Sequence, residues 1–169
     1  AGHAMAFDPD RGVVLMYGGR GPLPGGGLGA LTDTWEWKGD SWTERFPATT
    51  PGEYNYCAMA HDPSRRRMVL LGNRNGPSIH QGYGETWEWD GNDWTLLEHD
   101  NYNLPVSDYS MAFDVVKNRV LLFGGSWNCC PNLPWTWSWD GAKWEFLEPA
   151  ISPPGRTGAD MVWDEVRGL

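Results

Sequence analysis

The sequence has few basic residues and no apolar run that approaches the length of a membrane span. A transmembrane helix needs about 20 consecutive apolar residues, and the apolar runs here are much shorter, so no membrane span is predicted. Lys and Arg together number 13 against 22 Asp and Glu, which gives a formal net charge of −9 at pH 7. Nucleic acids and anionic membranes repel such a chain, so neither is predicted as a partner.

Cysteine is also scarce, with three residues in a chain of 169. Cys129 and Cys130 are adjacent and can either form a strained disulfide between neighbours or stay as two thiols, whereas Cys57 is predicted to begin a strand as a small buried residue. At least one of the three stays unpaired within the chain, so cysteine usage leaves the redox compartment open. The high Trp and low Lys content suggests a bacterial protein in an extracellular or periplasmic location.

Motifs for metal binding, nucleophilic catalysis and phosphate binding are lacking. The four histidines show no HxH, HExxH or i, i+4 spacing, and the sequence has neither a Gly-x-Ser-x-Gly turn nor a phosphate loop. His3 and His61 lie in predicted first strands and are interpreted as packing or surface residues. The sequence therefore predicts no catalytic residue, no metal ion and no cofactor.

Tryptophan is abundant, and its spacing organises the chain. Residues 34–42, 86–94 and 136–144 each place three Trp around a short turn, and these segments contain nine of the 12 Trp. The first two Trp of each segment are two residues apart, so on a strand they point to the same face. A Gly in each turn tolerates the positive φ of a tight hairpin, and the third Trp falls on the returning strand.

A second segment recurs at the same interval of about 50 residues. Its copies share a Met, an Asp three residues later, and a basic residue three places after the Asp; they are residues 3–8, 57–62, 109–114 and 159–164, with Arg11, Arg65, Lys117 and Arg167 following. The Asp is predicted to accept hydrogen bonds from backbone N–H groups of its own turn. No helical periodicity interrupts the units, so each reads as four short strands of a propeller repeat.

These units resemble kelch repeats, in which the second strand ends in a double Gly, the third carries a large aromatic residue and the fourth carries a Trp. Gly18-Gly19 and Gly124-Gly125 match the double Gly, while Gly72-Asn73 departs from it in a way that left-handed backbone geometry at Asn would tolerate. The third-strand aromatics are Trp37, Trp89 and Trp139, and the fourth-strand residues are Trp42, Trp94 and Trp144. We expect these last three to pack between neighbouring blades.

The resemblance implies an all-β fold, a kelch-type β-propeller arc of four-stranded antiparallel blades. Three complete blades plus one extra strand are expected from a single partial propeller spanning residues 1–169, with repeats at approximately 1–50, 51–104 and 105–154 and an incomplete one at 155–169. Because propellers typically close with 4–8 blades, the chain is interpreted as part of a six- or seven-bladed ring or as a self-pairing half-ring. Its expected partners are the remaining blades of the ring or a second copy of the chain.

The two faces of the predicted disc differ in their loops. Antiparallel strands place the short one-two and three-four turns on one face, and the two-three loops and the crossovers between blades on the other. Long, irregular loops that hold most of the remaining aromatic residues are the expected binding surface. The two-three loops are predicted at 20–32, 74–85 and 126–134, and the crossovers at 46–56, 98–108 and 148–156.

Residues at the inner ends of these loops should rim the central depression, since the resemblance implies that the first strand is innermost and the second lies beside it. Aromatic rings with polar neighbours are typical of sites for carbohydrates or extended peptides. The chain is therefore interpreted as a binding module for carbohydrate or peptide; the alternative is a fragment of a kelch-fold enzyme, galactose-oxidase-like or sugar-isomerising, with catalytic residues partly in other blades. The predicted ligand-binding residues are Arg20, Asn55, Tyr56, Arg74, Asp108, Tyr109, Ser126, Trp127 and Arg156.

Overall fold

The computed structural model describes residues 2–54, 56–74, 83–101, 103–127, 130, 132–164 and 166–168. Across these residues the regular secondary structure is β-strand, and no helix occurs among them. Accordingly, the described segments include no helix with the length and apolar character that crossing a membrane requires. The predicted all-β class is confirmed.

In the described part of the chain, twelve strands form three antiparallel four-stranded sheets, each ordered as its strands occur in the sequence. Blade 1 contains β1 (Ala4–Asp8), β2 (Val13–Pro22), β3 (Leu28–Lys38) and β4 (Ser41–Arg45). Blade 2 contains β5 (Cys57–Asp62), β6 (Arg67–Arg74), β7 (Tyr83–Trp89) and β8 (Trp94–Asn101). Blade 3 contains β9 (Ser107–Asp114), β10 (Arg119–Ser126), β11 (Thr136–Trp139) and β12 (Trp144–Leu147).

The blades meet through their first strands. β1 packs against β5, and β5 packs against β9. The later strands of each blade follow outwards as a simple antiparallel meander. Adjacent first strands with meandering sheets are the arrangement of propeller blades around a hub, so the predicted arc is confirmed.

Blade 2 buries both of its faces, and the alternation of side chains along β6 shows how. Met68 and Leu70 pack with blade 1, whereas Val69 and Leu71 pack with blade 3. All four side chains are 0% exposed. Successive side chains of a strand point to opposite faces, so an uninterrupted apolar run suits a strand whose sheet is covered on both sides.

A tryptophan on the fourth strand joins each blade to the one before it. The Trp94 indole N–H donates to the Thr34 hydroxyl (3.0 Å), and the Trp144 indole N–H donates to the Thr86 hydroxyl (2.8 Å). Both rings are buried, which confirms the packing between blades predicted for Trp94 and Trp144. For Trp42 that prediction is wrong: its side chain is 40% exposed, because no described blade precedes blade 1.

Glycine in the second strands serves two different purposes. All four residues of Gly18-Gly19 and Gly124-Gly125 have positive φ angles, between 64° and 101°. The left-handed geometry expected at Gly72-Asn73 is not found, since neither residue has a positive φ and β6 pairs regularly with β7 throughout. Gly72 is needed instead for close packing, because a Cβ there would lie 2.3 Å from the Tyr54 ring.

The fourth copy of the first-strand segment, residues 159–164, is not paired as a strand. A strand needs a hydrogen-bonded neighbour, and the described residues supply none for this segment. Met161 nevertheless lines an apolar cavity of about 430 Å³ together with Met5, Met59 and Met111 of the first strands. The segment therefore lies at the hub, where a further innermost strand would be placed.

Candidate functional site

The short-turn face is built from aspartates that accept hydrogen bonds from their own turns. Asp62 Oδ1 accepts from two backbone N–H groups (3.0 and 3.2 Å), as does Asp90 Oδ1 (2.8 and 2.9 Å). These backbone donors lower the pKa of the Asp90 carboxyl. The predicted structural role of the repeated Asp is confirmed, and further examples are Asp8, Asp114, Asp140 and Asp164.

Two predicted rim arginines lie on second strands. Arg20 has an exposed side chain and pairs with Ala30 in an extension of the β2–β3 ladder, so part of the predicted 20–32 loop is strand. Arg74 ends β6 and forms an ion pair with Glu85, with Nε 3.1 Å from Oε1, while Nη2 donates to Oε2 (3.4 Å). Because Glu85 neutralises the charge of Arg74, the Arg74–Glu85 pair offers no net positive charge to an anionic ligand.

The two tyrosines predicted at the rim differ in exposure. Tyr56 lies at the entry to β5 and is 46% exposed. Tyr109 is buried between the blades, where its hydroxyl donates to the Leu71 carbonyl (3.1 Å) and burial raises its pKa well above the ordinary value. Tyr109 therefore packs the core and is not exposed at the rim. Asn55 and Cys129 lie outside the described residues, as does most of the predicted 74–85 loop.

The structure brings Asp108, Ser126 and Arg156 together at the loop end of blade 3. The Ser107 hydroxyl donates to Asp108 Oδ2 (2.7 Å) and shares a hydrogen bond with the Ser126 hydroxyl (2.7 Å). The Gly125 N–H donates to the Arg156 carbonyl (2.9 Å), which ties the crossover to the end of β10. These contacts form a polar edge on the long-loop face.

An aromatic pocket of about 430 Å³ opens on blade 3, lined by Asn103, Trp135, Trp137 and Phe146. The Trp137 and Phe146 rings meet edge to face with centroids 5.1 Å apart, and Trp135 meets Phe146 in the same way at 6.3 Å. Trp127, a predicted site residue, extends the row with its ring 6.0 Å from that of Trp135.

The β11–β12 hairpin places these rings. Trp137 stands directly opposite Phe146 in the ladder, and Trp135, two residues earlier, leaves the chain towards the same face. Among the three described blades, only blade 3 has an aromatic residue opposite this Trp in the ladder. The residues in the equivalent ladder position are Glu44 in blade 1 and Leu96 in blade 2.

In blades 1 and 2 the indole N–H equivalent to that of Trp137 donates hydrogen bonds to nearby side chains. The Trp35 N–H donates to Asp33 Oδ2 (2.7 Å). The Trp87 N–H donates to the Tyr54 hydroxyl (2.8 Å) and to Glu85 Oε2 (3.4 Å). A carboxylate two residues before the Trp is thus a shared feature of the two blades.

Blade 3 lacks that carboxylate, because Trp135 stands in its place. The Trp137 indole nitrogen is buried and has no hydrogen-bond partner within the described part of the chain. A buried unpaired donor costs about 1–3 kcal/mol. The indoles of Trp89 and Trp139 are also unpaired, but these side chains are 1% and 0% exposed in the core, whereas Trp137 lines a pocket. Trp137 therefore combines a ring that lines the pocket with a buried N–H for which the described residues supply no acceptor.

Sequence reasoning finds Trp127 but not Trp137 or Phe146, because the aromatic residues of the hairpins are interpreted as scaffold. The signal is present in the repeats themselves. Asp33 and Glu85 occupy the position that Trp135 occupies in blade 3, and this departure marks the blade that differs from the others.

On the short-turn face, Asp8, Asp10 and His61 form a group with the donor types of a metal site. Among the described residues, their ligand atoms all lie within 4.8 Å of one another. Sequence spacing does not reveal this group, because His61 and the two aspartates come from different repeats.

Comparison with known proteins leaves the family of the chain open. No protein-family model matches the sequence, and no curated protein matches it. Among solved structures, a fucose lectin from Kordia zhangzhouensis in complex with methyl-fucoside superposes with a TM-score of 0.48 at 14% sequence identity, over 90% of this chain and 100% of the lectin chain. The similarity concerns the shape of that protein and does not say what this chain binds.

Proposed function

We propose that the chain is a carbohydrate-binding module and that the aromatic pocket of blade 3 holds the sugar. The observation that carries the proposal is the Trp137 indole N–H, for which the described residues supply no acceptor and whose ring lines an aromatic pocket. The equivalent indoles of blades 1 and 2 are satisfied within the protein. Blade 3 therefore differs from the other two described blades at this indole, and an oxygen atom of a ligand would supply the acceptor.

A sugar has both an apolar face and hydrogen-bond acceptors, which match the aromatic rings and the N–H of this pocket. One face of a pyranose ring presents C–H groups that pack on aromatic rings, while its hydroxyl oxygens accept hydrogen bonds. Trp135 and Phe146 supply the apolar surface, and Trp137 supplies the donor. A volume of about 430 Å³ falls within the usual size of small-molecule sites.

The polar edge beside Trp127 supports a ligand longer than one sugar ring. Trp127 contacts Trp135 on one side and follows Ser126 directly in the chain. Ser126 in turn is bonded to Ser107, which holds Asp108. A glycan that enters the aromatic pocket can therefore extend over Trp127 towards hydrogen-bonding groups at the rim.

We also propose that the blades belong to a kelch-type ring. Support comes from the adjacent first strands, the double glycines with positive φ in blades 1 and 3, and the fourth-strand Trp that bonds to the preceding blade. The outer faces of blades 1 and 3 would then meet the remaining blades of the ring or a second copy of the chain. The alternative of a kelch-fold enzyme fragment stays untested.

Glycan-array screening followed by isothermal titration calorimetry of the best glycan tests the proposal. Trp135→Ala removes a ring wall and should weaken binding about tenfold or more, because stacking and enclosure are both lost. Trp137→Phe keeps a ring but removes the N–H, and should weaken binding about 2- to 12-fold, the value of one hydrogen bond.

Trp35→Phe is the matched control, since it makes the same change at the equivalent position of blade 1 and should leave glycan affinity unchanged. Circular dichroism shows that each variant is folded. Wild-type protein that binds no glycan, or Trp135→Ala that binds with wild-type affinity, would contradict the proposal. Selective capture of an extended peptide in place of glycans would move the function to peptide binding.

A further inference from the structure

We propose that Asp8, Asp10 and His61 form a site for a divalent transition-metal ion such as Zn²⁺, which bridges blades 1 and 2 at the hub. Asp8 ends β1, Asp10 follows in its turn, and His61 lies near the end of β5, the strand that packs against β1. Imidazole nitrogen and carboxylate oxygen are both established zinc ligands. The site is independent of the aromatic pocket and lies on the short-turn face.

The distances between the donor atoms suit a small ion. His61 Nε2 lies 3.2 Å from Asp10 Oδ2 and 3.7 Å from Asp8 Oδ1. With metal–ligand bonds of about 2.0–2.1 Å, neighbouring ligands of a tetrahedral zinc stand about 3.3 Å apart. The two measured separations are close to this value, all three donors lie within 4.8 Å of one another, and three protein ligands would leave a fourth position for water.

The His61 side chain is buried, and its Nε2 atom faces the two carboxylates. Its side chain is 9% exposed, and within the described part of the chain Nε2 makes no hydrogen bond. The nitrogen faces two carboxylate oxygens but is not aligned as a donor to either of them. Buried polar atoms are normally satisfied, and an ion held by Asp8 Oδ1 and Asp10 Oδ2 would give Nε2 the partner that it lacks among the described residues.

Hydrogen bonds orient the Asp8 carboxylate, whereas the Asp10 carboxylate has, besides His61, only a long ion pair with an exposed arginine among the described residues. Asp8 Oδ2 bonds to the Arg11 guanidinium, and Asp10 Oδ1 lies 3.9 Å from Arg66 Nε. Each carboxylate thus turns one oxygen to an arginine and the other to His61. Backbone N–H groups of Asp10 and Arg11 also donate to Asp8 Oδ1 (3.0 and 3.2 Å), which fixes that oxygen in place. Outer hydrogen bonds of this kind orient metal ligands.

Two departures from the repeat meet at this point. The position of His61 carries an aromatic residue in the other copies, and the position of Asp10 carries a neutral residue. One independent change in each blade brings an imidazole and an extra carboxylate within 3.2 Å. The residues at the first position are Phe7, Phe113 and Trp163, and those at the second are Ser64, Val116 and Val166.

Zn²⁺ titration of chelator-treated protein, by calorimetry and by metal analysis after dialysis, tests the site. Wild-type protein should bind one Zn²⁺ per chain at this site and show a higher midpoint of thermal unfolding with the ion. His61→Phe and Asp10→Ser restore residues found in other repeats, and both should weaken this binding about tenfold or more and abolish the thermal shift. His3→Ala, which removes an exposed histidine elsewhere, should behave as wild type.

The same measurements can overturn the proposal. If wild-type protein binds no Zn²⁺, or if both variants bind it as tightly as wild type does, the group is only an ion pair between blades. Circular dichroism checks that the variants are folded. If His61→Phe does not fold, Asp10→Ser decides alone, because Asp10 is a turn residue whose side chain is 38% exposed.

Discussion

At the scale of single residues, Trp94 makes several of the contacts between blades 1 and 2. Trp94 is 2% exposed, and its ring lies 5.4 Å from that of Tyr17 and 5.3 Å from that of Trp89. Its N–H is satisfied by Thr34 of the preceding blade. A buried Trp removes about 150–250 Å² of surface from water, more than other side chains can.

Trp94→Ala should therefore lower the free energy of unfolding by about 3–5 kcal/mol, the usual cost of truncating a buried aromatic residue. Urea unfolding followed by far-UV circular dichroism measures the change. Trp42→Ala is the matched control, because Trp42 has the same strand position but is 40% exposed; its expected cost is at most about 2 kcal/mol. Equal costs for the two variants would show that the junction does not depend on Trp94.

The candidate site could be predicted only in part, and the backbone at the entry to β9 explains one of the errors. Asp108 has a left-handed φ of 58°, and the β9–β10 pairing passes over it between Ser107 and Tyr109. Tyr109 is buried directly after this irregularity, which residue periodicity does not reveal at a strand end. The aromatic pocket was not predicted for another reason. Phe146 lies beside Trp137 only because the two residues pair across the β11–β12 hairpin, and the register of that hairpin was not known from the sequence.

At the scale of elements, the hairpins between third and fourth strands follow from their sequence. Asp90 and Asp140 begin turns in which Gly91 and Gly141 adopt φ angles of 100° and 101°. In each turn the Asp carboxylate accepts two backbone N–H bonds. A turn residue, a glycine and flanking aromatic residues therefore fix both the place and the register of the hairpin.

These turns should contribute to acid sensitivity. The backbone N–H of Asp93 lowers the pKa of Asp90 from 3.8, and that of Lys143 acts in the same way on Asp140. A lowered folded-state pKa gives a contribution to stability that is complete above the unfolded value and is lost as the pH falls through the folded value. The free energy of unfolding should therefore fall below about pH 4.

Asp90→Asn tests this, because the amide oxygen still accepts the N–H bonds but does not titrate. Urea unfolding at pH 7 and at pH 3 should show a smaller acid loss for the variant than for wild type. Asp160→Asn, a change at an exposed aspartate outside the hairpins, is the control and should lose as much as wild type. An unchanged acid loss in Asp90→Asn would mean that the turn carboxylate is not coupled to folding.

At the scale of the whole molecule, the repeat predicts the architecture, because four strands with the same pattern can bury their apolar faces only against neighbouring copies. The length of the β2–β3 hairpin was less predictable. Gly21 and Pro22 read as loop residues, yet the ladder continues through Arg20 to Pro22, where it faces Leu28. Cross-strand pairing overrides local preference at this point.

The open faces of blades 1 and 3 should make the isolated chain self-associate. Trp42 and Phe46 of blade 1 are 40% and 84% exposed, and unpartnered apolar surface of this kind favours association. Sedimentation velocity over a range of concentrations measures the effect. Trp42→Glu should shift the distribution towards monomer, whereas Val116→Glu, at a residue 69% exposed in a turn, should not. A wild-type chain that stays monomeric at all concentrations would argue against both a ring fragment and a half-ring.

Each joint between described blades rests on a Thr of one unit and a Trp of the next, and both residues recur in every unit as Thr34, Thr86 and Thr136 and as Trp42, Trp94 and Trp144. The same hydrogen bond can therefore form wherever one such unit follows another. Gene duplication or deletion can change the number of units and leave the remaining joints intact. The segment before β11 takes no part in these two bonds, so changes of sequence there would leave them in place.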